Sequence, residues 1–161
     1  MTVTAHYTGP DEGARLDMPD GMYIVKASAQ QTGGAFEVFE VEAPALPSGP
    51  LHRSPWAGTI YLLEGNVMIR FEDGQVALSP GSSMTIPGQT AVAFDVLGES
   101  ARFLAVTSGD RAGKFFVDFA ASVPAGRPLE EIFPQVADVT GRHGVSLLEP
   151  GARSSTATLP S

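Results

Sequence analysis

The chain has three imidazoles, His6, His52 and His143, and no cysteine. The missing thiols exclude thiolate nucleophiles, cysteine-ligated zinc and a disulfide framework. A non-haem iron, manganese or nickel centre needs three or four histidine or carboxylate ligands converging on one point. His6 lies in a polar N-terminal arm, His52 in the stretch LHRSPWAGTIYLLEG (51–65), and His143 at the end of a helical pattern. One imidazole does not hold such an ion. Glu40, Glu42 or His6 are the groups that could substitute for missing ligands. What His52 can do alone is acid–base work, because an unperturbed imidazole titrates near pH ~6.5. The plain alternative is a histidine satisfied by a backbone carbonyl.

Other residues could join it. Glu40 sits among apolar neighbours in FEVFEVEA, and an inward Glu40 near His52 would pair two titratable groups in an apolar cavity. Lys26, if buried, would have a lowered pKa and could act as acid or base; a solvated lysine is the alternative. Arg70 and Met68 share the strand face opposite Val67, Ile69 and Phe71. They line a cavity if that face is polar and inward, and lie outside if the aliphatic face is the core. Trp56 reads as cavity mouth or core edge, and Ile60 alternates with Tyr61 and Leu62 along its strand.

These residues need strands to place them. MYIVKAS (22–28), AFEVFEVEA (35–43), TIYLLE (59–64) and NVMIRFE (66–72) carry β-branched and aromatic residues in near-alternation. QVALSPG, SSMTIPG, AVAFDV and ARFLAVT follow, each bounded by turn residues. Gly65 reads as a turn, and Asp73-Gly74 as a hairpin signal. About eight short strands at even spacing, with 18 Gly and 13 Pro to turn them, indicate an all-β sandwich or barrel-like jelly roll. GKFFVDFAASV (113–123) predicts a short helix. RPLEEIFPQVADVTGRHG (127–144) predicts a second, with Leu129, Ile132, Phe133, Val136 and Val139 on one stripe and Pro134 interrupting it. The final GARSSTATLPS is expected to be disordered.

A chain of 161 residues fits one domain and buries roughly 70% of its unfolded surface without a staple. A net charge of −8, with ten basic residues scattered, argues against nucleic acid or anionic membrane as partners. No secretory signal or membrane-length apolar run is evident, so a cytoplasmic protein is expected.

Three stretches carry a resemblance to a known family. YIVKASAQQTGGAFEVFEVEAP (23–44), GPLHRSPWAGTIYLLEG (49–65) and PGSSMTIPGQTAVAF (80–94) resemble the small single-domain bacterial cupins similar to quercetin dioxygenase, the last two matching the two cupin motifs. EIFPQVADVTGRHGVSLL resembles the same group's C-terminal helix and terminal strand. The resemblance covers most of residues 20–149. It implies a cupin jelly-roll β-barrel with C-terminal helical decoration: an N-terminal arm over 1–20, the cupin domain over 21–149, and a flexible tail over 150–161. Anchored on Gly65, the first metal histidine falls on His52, the second on Ser54, the glutamate on Gly58 and the last histidine on Val92, so most metal ligands are lost. Gly81 and Pro87 fit the second motif, while Leu46 stands where the first motif should open with glycine. The resemblance also turns Lys26 toward the barrel and implies a homodimer, partly through exchanged N-terminal strands.

Losing imidazole and carboxylate at Ser54, Gly58 and Val92 enlarges the pocket and makes it less polar, which suits an apolar small molecule. The leading expectation has no metal and no cofactor. It is a cupin that binds such a molecule and works as a cyclase, isomerase or lyase of secondary metabolism with acid–base help from His52. The alternatives are a quercetinase-like dioxygenase with rebuilt ligands and a binding protein without catalysis.

Overall fold

The computed structural model describes residues 4–148. Nine strands and two helices follow in the order β1 (Arg15–Met18), β2 (Gly21–Ala27), β3 (Phe36–Pro44), β4 (His52–Arg53), β5 (Gly58–Arg70), β6 (Gln75–Leu78), β7 (Ser83–Ile86), β8 (Ala93–Ser108), α1 (Arg111–Ser122), α2 (Leu129–Arg142) and β9 (Ser146–Leu147). The main antiparallel sheet runs β1-β2-β3-β8-β5-β6, with β7 on the free edge of the first half of β5. β4 and β9 form a separate two-stranded ladder. No helix among the described residues is long and apolar enough to cross a membrane.

Two long strands organise the barrel. TIYLLE and NVMIRFE, expected as two strands around a turn at Gly65, are one strand, and so are AVAFDV and ARFLAVT. Gly65 has φ +80°, and a Cβ there would meet the Ser100 carbonyl oxygen at 2.4 Å. Only glycine can make that bend while β5 stays against β8, so the position is a bulge and not a reversal. The bend lets β5 and β8 each serve both halves of the barrel.

Cross-strand register sorts the faces, because directly paired residues project to the same side. Phe39 pairs with Ala105, and Ala105 with Ile60, which pairs with Met84. Val41, Phe103 and Leu62 form the next inward row; Phe39, Val41 and Leu62 are fully buried. Burying each large apolar side chain contributes about 1.5–3 kcal/mol before conformational entropy is subtracted.

The helices close one end. Phe116 of α1 lies edge-on to Tyr23 at 4.9 Å and to Phe39 at 5.0 Å, so α1 docks its aromatic face on the inward side of β2 and β3. α2 buries Ile132, Val136 and Val139 of the expected stripe, while Leu129 and Phe133 at its margin are exposed. Pro134, expected to divide this segment, sits inside a single helix, where it forfeits one hydrogen bond of the ladder near the N-terminus. The expected arm is partly a strand: β1 lies within residues 1–20 and forms the sheet edge. The expected disordered tail falls outside the described residues.

Candidate functional site

β4 is only two residues long. Pro50 and Pro55 flank it, and neither can donate to a ladder. Within that limit His52 is held from both sides. It pairs with Leu147 of β9 and forms an isolated bridge to Val92, with His52 N donating to Val92 O and Val92 N to His52 O, both at 3.0 Å. His52, Val92 and Leu147 therefore share one row and face. The next segment is clamped as well: Gln89 N donates to Ser54 O at 2.7 Å, and a Cβ on Gly88 would meet the Pro55 carbonyl oxygen at 3.0 Å. The first-motif loop and the second-motif turn are thus joined by main-chain bonds.

His52 is half-buried. Desolvation pulls its pKa below 6.5, partly opposed by a hydrogen bond to the Pro50 backbone. The imidazole is neutral at pH 7. The Pro50 backbone is the group that favours the charged form of the ring. Val92, Ile60, Met84 and Phe94 pack against the core but stay partly exposed, so the barrel wall near His52 is apolar and incompletely covered.

A metal of the kind found in cupins does not fit this donor set. Among the described residues no three His, Cys, Asp or Glu side chains converge. Val92 and Gly58 offer no lone pair, and a Ser54 hydroxyl is a poor ligand for a divalent ion. His6 is exposed in the arm, and His143 is bonded to Asp118 at 2.7 Å, between α1 and α2.

Several expected site residues are placed elsewhere. Glu40 does not approach His52: it lies on the outward face and accepts from Arg102 at 3.0 Å, while Arg102 also reaches Glu64 at 2.9 Å. Lys26 does not face the barrel as an acid or base. Its ammonium donates to the carbonyls of Gly9 at 2.6 Å and Glu12 at 2.9 Å, pinning the N-terminal arm. Arg70 binds Asp95 at 2.6 Å and the Gly49 carbonyl at 2.7 Å on the side opposite Val67 and Ile69, and Met68 shares that side. Trp56 rests on Phe115 and Phe116 of α1, at 5.7 and 6.3 Å. Ile60 and Gly58 lie on the inward face of β5, Gly58 paired with Ile86 and Thr107.

One carboxylate escaped the sequence reading. Glu37 is 4% exposed, pairs with Thr107 in the row of Gly58, and accepts the Gly113 amide at 2.9 Å. It caps α1 from a neighbouring strand, in place of Asp110, whose own side chain makes no cap. The signal was in FEVFEVE. Strict alternation puts Glu37 with the buried Phe39 and Val41, and Glu40 on the other face. Thr107 Oγ1, beside Glu37, is buried and without a hydrogen-bond partner.

Two surface concavities accompany the barrel. One of about 470 Å³ lies between the β2–β3 turn and α1, with Glu37 and Lys114 on its walls. The other, about 620 Å³, lies around Gly65 and Arg102. His52 lines neither.

No family model matches the sequence, and no curated protein does. Solved structures do match the fold. KdgF from Halomonas sp. superposes with a TM-score of 0.60 at 18% identity, over 69% of this chain and 99% of that one. The polyketide cyclase RemF from Streptomyces resistomycificus gives 0.57 at 21% identity, over 65% and 80%. An RmlC-like cupin from Shewanella frigidimarina gives 0.58 at 14% identity, over 71% and 99%. An antiparallel barrel with two C-terminal helices and this set of neighbours fix the architecture: the chain has the cupin fold.

Proposed function

We propose that the chain is a metal-independent cupin that binds a mainly apolar small molecule beside His52 and promotes a cyclisation, isomerisation or elimination by general base catalysis. One observation carries this reading. His52 is a half-buried imidazole whose pKa burial lowers, held by main-chain bonds directly opposite an aliphatic side chain. A general base needs a lone pair near pH 7 and a fixed position; the lowered pKa and the two main-chain bonds to Val92 support that reading. Such a base contributes roughly 10²–10⁴ in rate, and holding a flexible substrate in a reactive shape adds to it. The half-buried Val92, Ile60 and Met84 supply apolar contact. That the cupin fold serves a polyketide cyclase, RemF, is consistent with this use of the barrel. A cytoplasmic setting belongs to the same proposal.

The chain's single tryptophan, Trp56, reports on the site. Titration with 2-naphthol should quench its fluorescence saturably, and Val92→Phe, which enlarges the side chain paired with His52, should weaken binding at least about tenfold, about 1.4 kcal/mol. An unsaturable quench, or an unchanged affinity in Val92→Phe, would overturn the apolar site. Near-stoichiometric iron, nickel, manganese or zinc in protein purified without chelator would overturn the metal-independent reading.

A further inference from the structure

The concavity between the β2–β3 turn and α1 lies apart from His52. It measures about 470 Å³, with Gln30, Gly33 and Gly34 of the turn on one side and Asp110 and Lys114 at the start of α1 on the other. Glu37 lies in its wall and is almost fully buried. Its Oε1 accepts the Gly113 amide at 2.9 Å, while Oε2 takes no hydrogen bond from a described residue. Thr107, paired directly with Glu37 across β3 and β8, buries a hydroxyl that also has no partner. Buried polar atoms are nearly always bonded, so two neighbours short of partners call for a group that the chain itself does not bring. Lys114, the cation on the wall, does not supply it. Its ammonium turns to Asp110 at 2.7 Å, and the side chain stays largely exposed.

We propose that this concavity binds a small organic cation, a primary ammonium on a short apolar stem, with its N–H groups donating to Glu37 Oε2. The walls select this class. Asp110 is paired with Lys114, so Glu37 leaves the concavity a net negative charge and an anion is repelled. A divalent metal lacks ligands there, because Glu37 and Asp110 are the only carboxylates on the walls and no three such groups converge among the described residues. An ammonium needs no more than one carboxylate, to which it makes short charge-assisted hydrogen bonds. Its stem has room beside Gly34, where an added Cβ would meet nothing within 4 Å. The burial of Glu37 adds to the grip, since a charge pair is screened less away from water.

The Gly113 amide already bonds this carboxylate, so its nuclear magnetic resonance signal reports on the site. Titrating the isotope-labelled chain at neutral pH with butylammonium chloride should shift the Gly113 and Gly34 amides saturably. Butanol and potassium chloride at equal concentration should not. Glu37→Gln keeps the shape and removes the charge, and should weaken binding at least about tenfold. Gln30→Lys sets a competing ammonium on the wall at an exposed position, and should weaken binding as much with circular dichroism unchanged. It decides the matter alone if Glu37→Gln does not fold. Lys114→Met removes a cation and frees Asp110, and should tighten binding. Unsaturable shifts, as from a concavity that holds only water, overturn the proposal. So do equal shifts with butanol or potassium chloride, an affinity that Gln30→Lys leaves unchanged, or weaker binding in Lys114→Met.

Discussion

Replacing Gly113 by alanine should destabilise this protein, although alanine is the better helix former. Glycine within a helix costs about 1 kcal/mol relative to alanine, so Gly113→Ala in an ordinary helix would gain that amount. Here a Cβ at position 113 would lie 2.0 Å from Glu37 Oε2, and Glu37 is buried. The carboxylate must swing away and release the Gly113 amide. Losing a charge-assisted hydrogen bond at a helix N-terminus costs about 2–3 kcal/mol. The net loss is about 1–2 kcal/mol, a Tm roughly 2–8 °C lower for a chain of this size. Thermal unfolding of four proteins decides it: wild type, Gly113→Ala, Glu37→Ala and the double variant. With Glu37 truncated the clash is gone, so Gly113→Ala should then raise Tm by about 2–4 °C. A reversal of sign between the two backgrounds is the expected signature, with a coupling energy of about 2–3 kcal/mol. If Gly113→Ala stabilises the wild-type background, Glu37 does not hold α1, and the account of how the aromatic face of α1 is seated on the barrel is wrong.

Three further outcomes follow from the same geometry. Because burial lowers the His52 pKa, the unfolded chain takes up that proton first; the stability His52 lends is complete above about pH 6.5 and is lost as pH falls from there through the folded value. Denaturant titrations should therefore show a stability slope below pH 6.5 that His52→Gln flattens, and an unaltered slope would contradict the burial. Burial raises the pKa of Asp20, whose Oδ1 has no partner, so its favourable share is present below about pH 3.8 and lost as pH rises through the folded value; Asp20→Asn should raise Tm at neutral pH. Lys26→Met should cost about 1–2 kcal/mol and open the 9–12 turn to limited proteolysis, with the barrel left intact.

How much of this was legible in the sequence depended on the range of the interaction involved. The barrel class, the apolar rows and three of the five residues of the α2 stripe are local periodicities, and they appear where alternation and 3.6-residue spacing put them; Leu129 and Phe133 are exposed instead. Gly65 was misread because a turn and a bulge need the same left-handed glycine. Which one forms depends on whether β8 continues to pair beyond it, a contact some 35 residues away. Pro134 was misread because a single missing hydrogen bond is outweighed by packing of Ile132, Val136 and Val139. The error over Glu40 was avoidable. Its alternation with Phe39 places it outward, since apolar neighbours in sequence are not apolar neighbours in space. The capping of α1 by Glu37 was not legible, since it joins residues 76 positions apart.

The same distinction separates what positions the side chains of this site from what those side chains are. His52 and Val92 are brought face to face by two main-chain hydrogen bonds, which any residue but proline can make. The Gly65 bulge and the Gln89–Ser54 bond likewise use backbone and glycine, not the side chains that would grip an ion. Position and chemistry are thus specified separately, and the side chains can change without moving the frame. Val92→His tests this directly. It should set two imidazoles on one row and give saturable Ni²⁺ binding at least about tenfold tighter than wild type, with far-ultraviolet circular dichroism unchanged. If the variant folds and binds no more tightly than wild type, the two side chains do not share a face, and the row that places His52 toward the barrel interior fails with them.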